Sequence, residues 1–459
     1  MPLQTFNKPK WSFVYGAVFL IHCSACKKFL QVEPAPNLVE SEAVFASDQT
    51  AVSSVTGLFS QLVSSNLSIT NGGSSVFLGL TADELNNNAN PIYDEFQLNA
   101  ISRTNFYVNN LWSNAYKNIY QVNAILKGLE GTTKVTDSVK TRLTGEAKFV
   151  RAFYYFYLLN FFGDVPFVSG TVYTENAVMP RTSIAELYSH IISDLEEAKN
   201  LMPASYSSSD RVRPNKWTAA ALLARTYLYI NDWENAAANA TAVINAGPYS
   251  LETDLNQVFA ISSTETLWQL MRENANTAEG TTFIPFSTEA LPTLSLQQIL
   301  LDAFEKGDQR ETHWVNTTMV DGQGYYYPFK YKARGSGSVT EYLVVLRLAE
   351  QYLIRSEAQG QQNDISGALE DLNRIRYRAG LADTLINTKA TLLEAIAHER
   401  RVELFAEWGH RWFDLKRTGQ IDAVLGTEKS PNWQPSDALF PLPQEEIERN
   451  VALTQNPGY

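Results

Sequence analysis

Apolar positions recur at helical spacing along most of this 459-residue chain. Between Ala46 and Ser65, the side chains Val52, Val55, Leu58, Phe59 and Leu62 fall three or four apart, which gathers them on one face of a helix. The pattern resumes from Trp112 to Leu129 through Tyr116, Ile119, Val122 and Leu126. From Ser138 to Phe162 it widens, with Phe149, Phe153, Phe156, Tyr157 and Phe161 covering a broad face. Gly163-Asp164-Val165-Pro166 then predicts a stop, since glycine admits the left-handed turn that ends a helix and proline cannot continue the ladder. Thr182 to Leu201 predicts a further long helix, with Ser183 placed near its start as a cap.

Helical segments then come in pairs. Trp217 to Ile230 is followed by the polar turn Asn231-Asp232-Trp233 and by Glu234 to Asn245. Tyr342 to Gly360 is followed by a polar turn and by Ile365 to Ala379. Ala221, Ala224 and Tyr227 are matched with Ala236 and Ala240 in one pair, and Leu353, Glu357 and Ala358 with Ala368 and Leu372 in the other. Small residues at such positions let antiparallel helices approach closely, as in tetratricopeptide-like (TPR-like) hairpins. Two stretches break the rhythm. Residues 66–107 are rich in Asn, Gly, Ser and aromatics, and residues 259–338 mix short apolar runs with Gly-Ser-Thr turns and the triplet Tyr325-Tyr326-Tyr327. Loops this long are uncommon unless they carry function. The fold expected is therefore mostly α: a scaffold of TPR-like helical hairpins, with irregular insertions and few short strands forming the ligand face.

The N-terminus changes the picture. Lys8 and Lys10 precede an apolar run, Trp11 to Ile21, too short to span a bilayer as a helix, and Cys23-Ser24-Ala25-Cys26 follows. This order of charged, apolar and small residues before a cysteine resembles a bacterial lipoprotein signal. In that reading residues 1–25 are removed, Cys26 is lipidated, residues 26–45 are a tether and residues 46–459 form a single domain. Several acyl chains on Cys26 would anchor the protein stably where one would be marginal. An ordinary cleaved leader or a buried N-terminal helix is the plainer alternative. Both cysteines lie in this segment, so the remaining chain has no disulfide framework and no Cys-based metal site. The net charge of −12 argues against nucleic acid, whose phosphates need a basic face.

Candidate chemistry is sparse for an enzyme. His398-Glu399 opens like a zinc-protease motif, but Val402 stands where the second histidine belongs. Glu399, Glu403 and Glu407 recur every four residues with Arg400, Arg401, Arg411 and Arg417 nearby, which reads as a structural ion-pair network. Asp83-Glu84, Asp94-Glu95 and Glu445-Glu446 are adjacent acids, whereas glycoside hydrolysis needs two carboxyls facing each other across a sugar. There is no Gly-rich phosphate loop, Gly-x-Ser-x-Gly elbow or cysteine nucleophile after residue 26. No catalytic residue, metal ligand or cofactor is therefore expected. Asn86 to Asp94 gathers oxygens of the type calcium takes, without any recognised loop spacing.

Binding chemistry is better represented. A sugar offers an apolar C–H face and a rim of hydroxyls, so a protein stacks a ring on the face and reads the rim with amides or charged groups. Asn87, Asn88, Tyr93 and Phe96 supply both in the first insertion; Trp314, Tyr325, Tyr326 and Arg334 do so in the second. The competing use of these rings is to plug the loops onto the helices. Trp112, Trp217, Trp268 and Trp412 sit in core-like patterns and are assigned to packing.

Several segments together carry a family resemblance. Tyr352-Leu353-Ile354-Arg355-Ser356-Glu357-Ala358, then Leu372-Asn373-Arg374-Ile375-Arg376 and Ala379-Gly380-Leu381, resemble the SusD/RagB family. Glu399-Arg400-Arg401-Val402-Glu403-Leu404 leading to Gly409-His410-Arg411-Trp412-Phe413-Asp414-Leu415-Lys416-Arg417 is similar to it, as is the ending Leu439-Phe440-Pro441-Leu442-Pro443 through Asn456-Pro457-Gly458-Tyr459. Lys28-Phe29-Leu30 with Glu33-Pro34, and Arg151-Ala152-Phe153-Tyr154-Tyr155 with Gly163-Asp164-Val165-Pro166, extend the match upstream. The resemblance implies a lipid-anchored outer-membrane protein facing the extracellular side. It would bind oligosaccharide without cleaving it and pass it to a SusC-like TonB-dependent transporter, with peptide cargo in some relatives. A TPR-like interaction module or a glycan-cleaving enzyme are the rival readings from other classes. The family's binding residues vary among members, so the resemblance assigns none here.

Overall fold

The computed structural model describes residues 1–2 and 41–459, apart from 247 and 336. Cys26, the leader from residue 3 onward and most of the tether lie outside the described residues. The scaffold is a succession of antiparallel helices, each packed on the next. It runs through α1 (Asp48–Leu62), α3 (Phe106–Gly131), α4 (Asp137–Phe162), α5 (Ile184–Leu201), α6 (Lys216–Tyr229), α7 (Trp233–Asn245), α8 (Leu348–Gln361), α9 (Ile365–Arg378) and α10 (Lys389–Glu403). A short α2 (Ser74–Thr81) precedes α3, and α11 (His410–Arg417) and α12 (Ile421–Glu428) follow α10.

Local chemistry sets the helix ends. Ser47 caps α1, Asn105 caps α3 and Ser183 caps α5, each side-chain oxygen accepting a backbone N–H of the first turn that has no helical partner. Asp232 and Asp364 cap α7 and α9 in the same way, which turns each polar connection into a tight hairpin. Gly163 ends α4 at φ +75°, and a Cβ there would meet Leu439 Cδ1 at 2.9 Å.

The α4 helix is the axis of the molecule. Every residue from Phe149 to Phe162 is buried, a distribution found in helices surrounded on all sides. Its rings meet Trp268, Trp408, Phe413 and Phe440 from three distant parts of the chain. Trp112, Trp268 and Trp412 are buried as expected, while Trp217 is half-buried. A smaller core, including Ala349, Leu353, Ala368, Leu372 and Ile396, joins α8, α9 and α10. The paired helices α6–α7 and α8–α9 pack as the small-residue pattern predicts, and the Ser356 hydroxyl donates to the Ala368 carbonyl at 2.7 Å across the second pair.

Two expectations are corrected here. The helix predicted from Tyr342 begins only at Leu348. Leu343–Arg347 is instead a buried strand, β6, paired antiparallel with β2 (Thr266–Leu270). A short continuous apolar run cannot be assigned by periodicity, and the β-branched Val344 and Val345 suit a pleated, enclosed surface. The first insertion is also less of a loop than its composition suggests. Ile69–Gly73 and α2 form a kinked, wholly buried helical segment, which leaves mainly residues 86–106 to reach the surface.

Candidate functional site

The two insertions meet. β1 (Leu85–Asn87) pairs antiparallel with β3 (Leu294–Leu296), in the register Leu85↔Leu296, Asn86↔Ser295, Asn87↔Leu294. Asn88 continues the contact: its backbone N–H donates to Thr293 at 2.9 Å and its side-chain amide to the Pro292 carbonyl at 3.0 Å. Asn87 is turned inward on its own limb, donating to the Asn90 carbonyl at 2.7 Å and to Asp94 Oδ1 at 2.6 Å. Both asparagines are half-buried.

Beside this joint stands a hairpin, β4 (Val315–Val320) and β5 (Gln323–Pro328), in which Thr317 faces Tyr326 and Thr318 faces Tyr325. Side chains alternate across a strand, so adjacent tyrosines point to opposite faces. Thr318 is buried and its hydroxyl donates to the Thr288 carbonyl at 2.6 Å, so that face lies against the 288–290 segment, with the half-buried Tyr325 on it. Tyr326 is on the open face with Thr317 and Met319, and is 44% exposed. The segment from Phe286 to Thr293 runs between hairpin and β1, and the Phe286 ring is 83% exposed. Arg334 donates from Nε to the Ile284 carbonyl at 2.9 Å, and its guanidinium lies 5.5 Å from the centre of the Phe286 ring.

Asn87 and Asn88 thus lie at the joint between the insertions, while Tyr326 and Arg334 lie in the second insertion, Tyr326 on the hairpin face turned away from the 288–290 segment. Three other candidates are core residues, which corrects the expectation that they face a ligand. Tyr93 packs edge-on to Phe77 at 5.9 Å, Phe96 stacks on Phe77 at 4.4 Å, and Trp314 is 0% exposed with its indole N–H donating to Leu255 at 2.9 Å. Large rings gain most from burial, and the helices behind these loops offered them a place. Phe286 was missed in the sequence, since one phenylalanine after a proline in an irregular stretch carries no periodic signal.

The charged segment around α10 is structural, with partners other than those expected. Glu399 and Glu403 accept from Arg310 at 2.6 and 2.9 Å, and Glu403 and Glu407 accept from Arg347 at 2.6 and 2.8 Å. Arg378 and Lys330 complete the cluster through Glu403 and Glu407. Arg400 pairs instead with Asp414, Arg401 and Arg411 with Asp83, and Arg417 with Glu357. Burial alone would raise the Glu403 carboxyl, but Arg378, Arg347 and Arg310 outweigh it and hold the group well below the usual range.

The adjacent acids also have fixed duties. Burial would raise Asp83, which Arg411 and Arg401 nevertheless keep low. Glu84, fully buried and beside the Asp83 charge, is pushed up to about 8. Glu95 accepts from Ser102 and Asn105, and Glu445 and Glu446 pair with Arg449. Asp94 is taken up by Asn87. Among the described residues no group of three His, Cys, Asp or Glu side chains is arranged to hold a metal, and no helix is long and apolar enough to cross a membrane.

Comparison with known proteins places this architecture. The family described as "Starch-binding associating with outer membrane" matches residues 28–228, and the family described as "SusD family" matches residues 302–459. SusD-like protein P25 of Formosa agariphila is 26% identical, over 96% of this chain and 98% of its own length. A SusD superfamily protein from Bacteroides vulgatus superposes with a TM-score of 0.81 at 22% identity, covering 90% of this chain and 99% of that one. Surface glycan-binding protein A from Bacteroides fluxus does so with a TM-score of 0.76 at 23% identity, covering 90% and 100%. These structural likenesses establish the fold. With family matches over residues 28–228 and 302–459 and a relative alike over almost its whole length, the chain belongs to the SusD/RagB family.

Proposed function

We propose that this protein binds carbohydrate at the outer membrane in nutrient uptake and hands it, uncleaved, to a SusC-like TonB-dependent transporter. Family membership supports the setting, and the description of the family matched by the N-terminal half names starch binding and the outer membrane. A structural neighbour bears the name surface glycan-binding protein.

The observation that carries the reading is a pair of open aromatic rings in the second insertion. Phe286 and Tyr326 are large rings that the second insertion leaves open to solvent, and the guanidinium of Arg334 lies 5.5 Å from the centre of the Phe286 ring. Rings stack on the C–H faces of sugars, and a guanidinium donates to ring oxygens and hydroxyls. Tyr325 borders the same hairpin from the other face. The acids singled out in the sequence are engaged by arginines, asparagines or backbone groups, or are buried and neutral, so none is paired across an open cleft as hydrolysis of a glycoside requires. Acylated Cys26 and the tether to residue 45 would hold the domain of residues 46–459 over the transporter, facing outward.

The test is calorimetry of the full chain against a polysaccharide panel, with an assay for new reducing ends on the same mixtures. Saturable binding without turnover is expected. Sustained turnover would sink the reading, and binding of peptides in place of glycans would move the cargo to the peptide class.

A further inference from the structure

A cleft of about 590 Å³ opens between the C-terminal half of α9 and the segment that follows α7. Its walls are fixed from beneath. Arg378 is held by Glu265 at 2.6 Å and by Glu403. On the facing segment, the Glu252 carboxylate accepts from the Thr264 hydroxyl at 2.8 Å. Asn373 accepts from the Thr384 backbone N–H at 2.9 Å, which pins the following loop to α9.

At the mouth, other groups are left free. The Tyr377 ring is 80% exposed and stacks on no other ring among the described residues. The exposed Asp383 carboxylate accepts no hydrogen bond among them. The Glu370–Arg374 pair, at 2.8 Å, is open to water on both sides. A rigid cleft with one open ring and a polar rim has the form of a ligand site. Glu370 and Arg374 neutralise each other and Arg378 is neutralised from below, which leaves the Glu252 and Asp383 carboxylates as the uncompensated charges of the lining. A neutral polyol would find a ring, a carboxylate and a guanidinium here, and a lysine-rich peptide, which the two carboxylates would also attract, is the competing occupant that the experiment distinguishes.

We propose that this cleft is a second carbohydrate contact, with Tyr377 stacked on the face of one sugar ring and Asp383 and Arg374 bonding its hydroxyls. The proposal rests on the reading of the chain as a carbohydrate-binding protein. Two contacts on one chain make the second binding event intramolecular, so a polymer that spans them is held more tightly than a short fragment.

The experiment compares full-length protein with Tyr377→Ala, Asp383→Asn and Tyr326→Ala variants. The probes are laminarihexaose and maltohexaose with their parent polymers, read by calorimetry and affinity electrophoresis. The parent is expected to take two hexasaccharides per chain. Tyr377→Ala should reduce this to one and weaken polymer binding about tenfold or more, with the melting temperature unchanged because the ring is exposed. Unchanged stoichiometry and polymer affinity in Tyr377→Ala would overturn the second contact, as would a single parent site abolished by Tyr326→Ala, and both leave the proposed function standing. Binding of a lysine-rich peptide with no glycan bound would overturn both.

Discussion

The side-chain amide of Asn88 donates to the carbonyl oxygen of Pro292 at 3.0 Å, across 204 residues of sequence. This bond closes the two-stranded β1–β3 joint and holds the segment bearing Phe286 against the first insertion. In Asn88→Ala the Pro292 carbonyl loses this donor, and a bond of this kind is worth about 1 kcal/mol. A thermal melt should show a modest loss, and limited proteolysis should cut faster within residues 284–292. Unchanged cleavage there would mean that the strand pairing alone holds the joint.

Tyr326 and Tyr93 should separate binding from stability. Tyr326→Ala removes an open ring and should weaken glycan binding about tenfold, on the scale of one stacking contact, with an unaltered melting temperature. Tyr93→Ala removes a buried ring that packs on Phe77 and should cost about 3–5 kcal/mol. Calorimetric titration and melting of both variants check this, and a stable Tyr93→Ala with selectively weakened binding would return that ring to the ligand face.

The Arg347–Glu403 pair sits among buried charges with Arg310, Arg378 and Glu407. Glu403→Ala would leave several guanidinium groups under-compensated in the interior and should destabilise by about 3–5 kcal/mol. The native carboxyl lies below its unfolded value of 4.5, so its contribution is present above pH 4.5 and is lost as pH falls through the native value. Urea unfolding from pH 7 to pH 3 should therefore show a steeper loss in the parent than in a folded Glu403→Gln variant.

Glu84 predicts the opposite slope. Its native carboxyl is pushed up to about 8 from 4.5, first by burial and then by the neighbouring Asp83 charge. The unfolded chain releases that proton earlier, so stability from this group is present below pH 4.5 and is lost as pH rises to about 8. Glu84→Gln keeps the neutral form and should be more stable than the parent at pH 8 by at least about 1 kcal/mol, one pKa unit being worth about 1.4 kcal/mol. Equal pH profiles by urea unfolding would show that the group stays ionised in the fold.

Helices α1, α3 to α7 and α9 were legible because a 3.6-residue period, a capping side chain and a stop are properties of a few consecutive residues. The start of α8 was not: Leu343 to Leu346 reads as an apolar run in any element, and only pairing with β2 makes it a strand. Of the candidate site, the asparagines lie at the joint and Tyr326 is open on the hairpin of the second insertion, while Tyr93, Phe96 and Trp314 went to the core. An aromatic in an irregular stretch shows that a ring is present, not which surface receives it.

By itself the sequence determined the helical scaffold, the two places where it is interrupted and the family, all of which rest on local periodicity or on ordered motifs. Tertiary structure alone decided that Tyr326 faces outward while Tyr325 turns to the 288–290 segment, because alternation has a direction only once the hairpin lies against something. It also decided that Glu403 takes Arg310, Arg347 and Arg378 in preference to its neighbours Arg400 and Arg401. In a buried cluster the partner is whichever charge the fold delivers within about 3 Å with its hydrogen bonds aligned, and that delivery comes from distant segments meeting in the core.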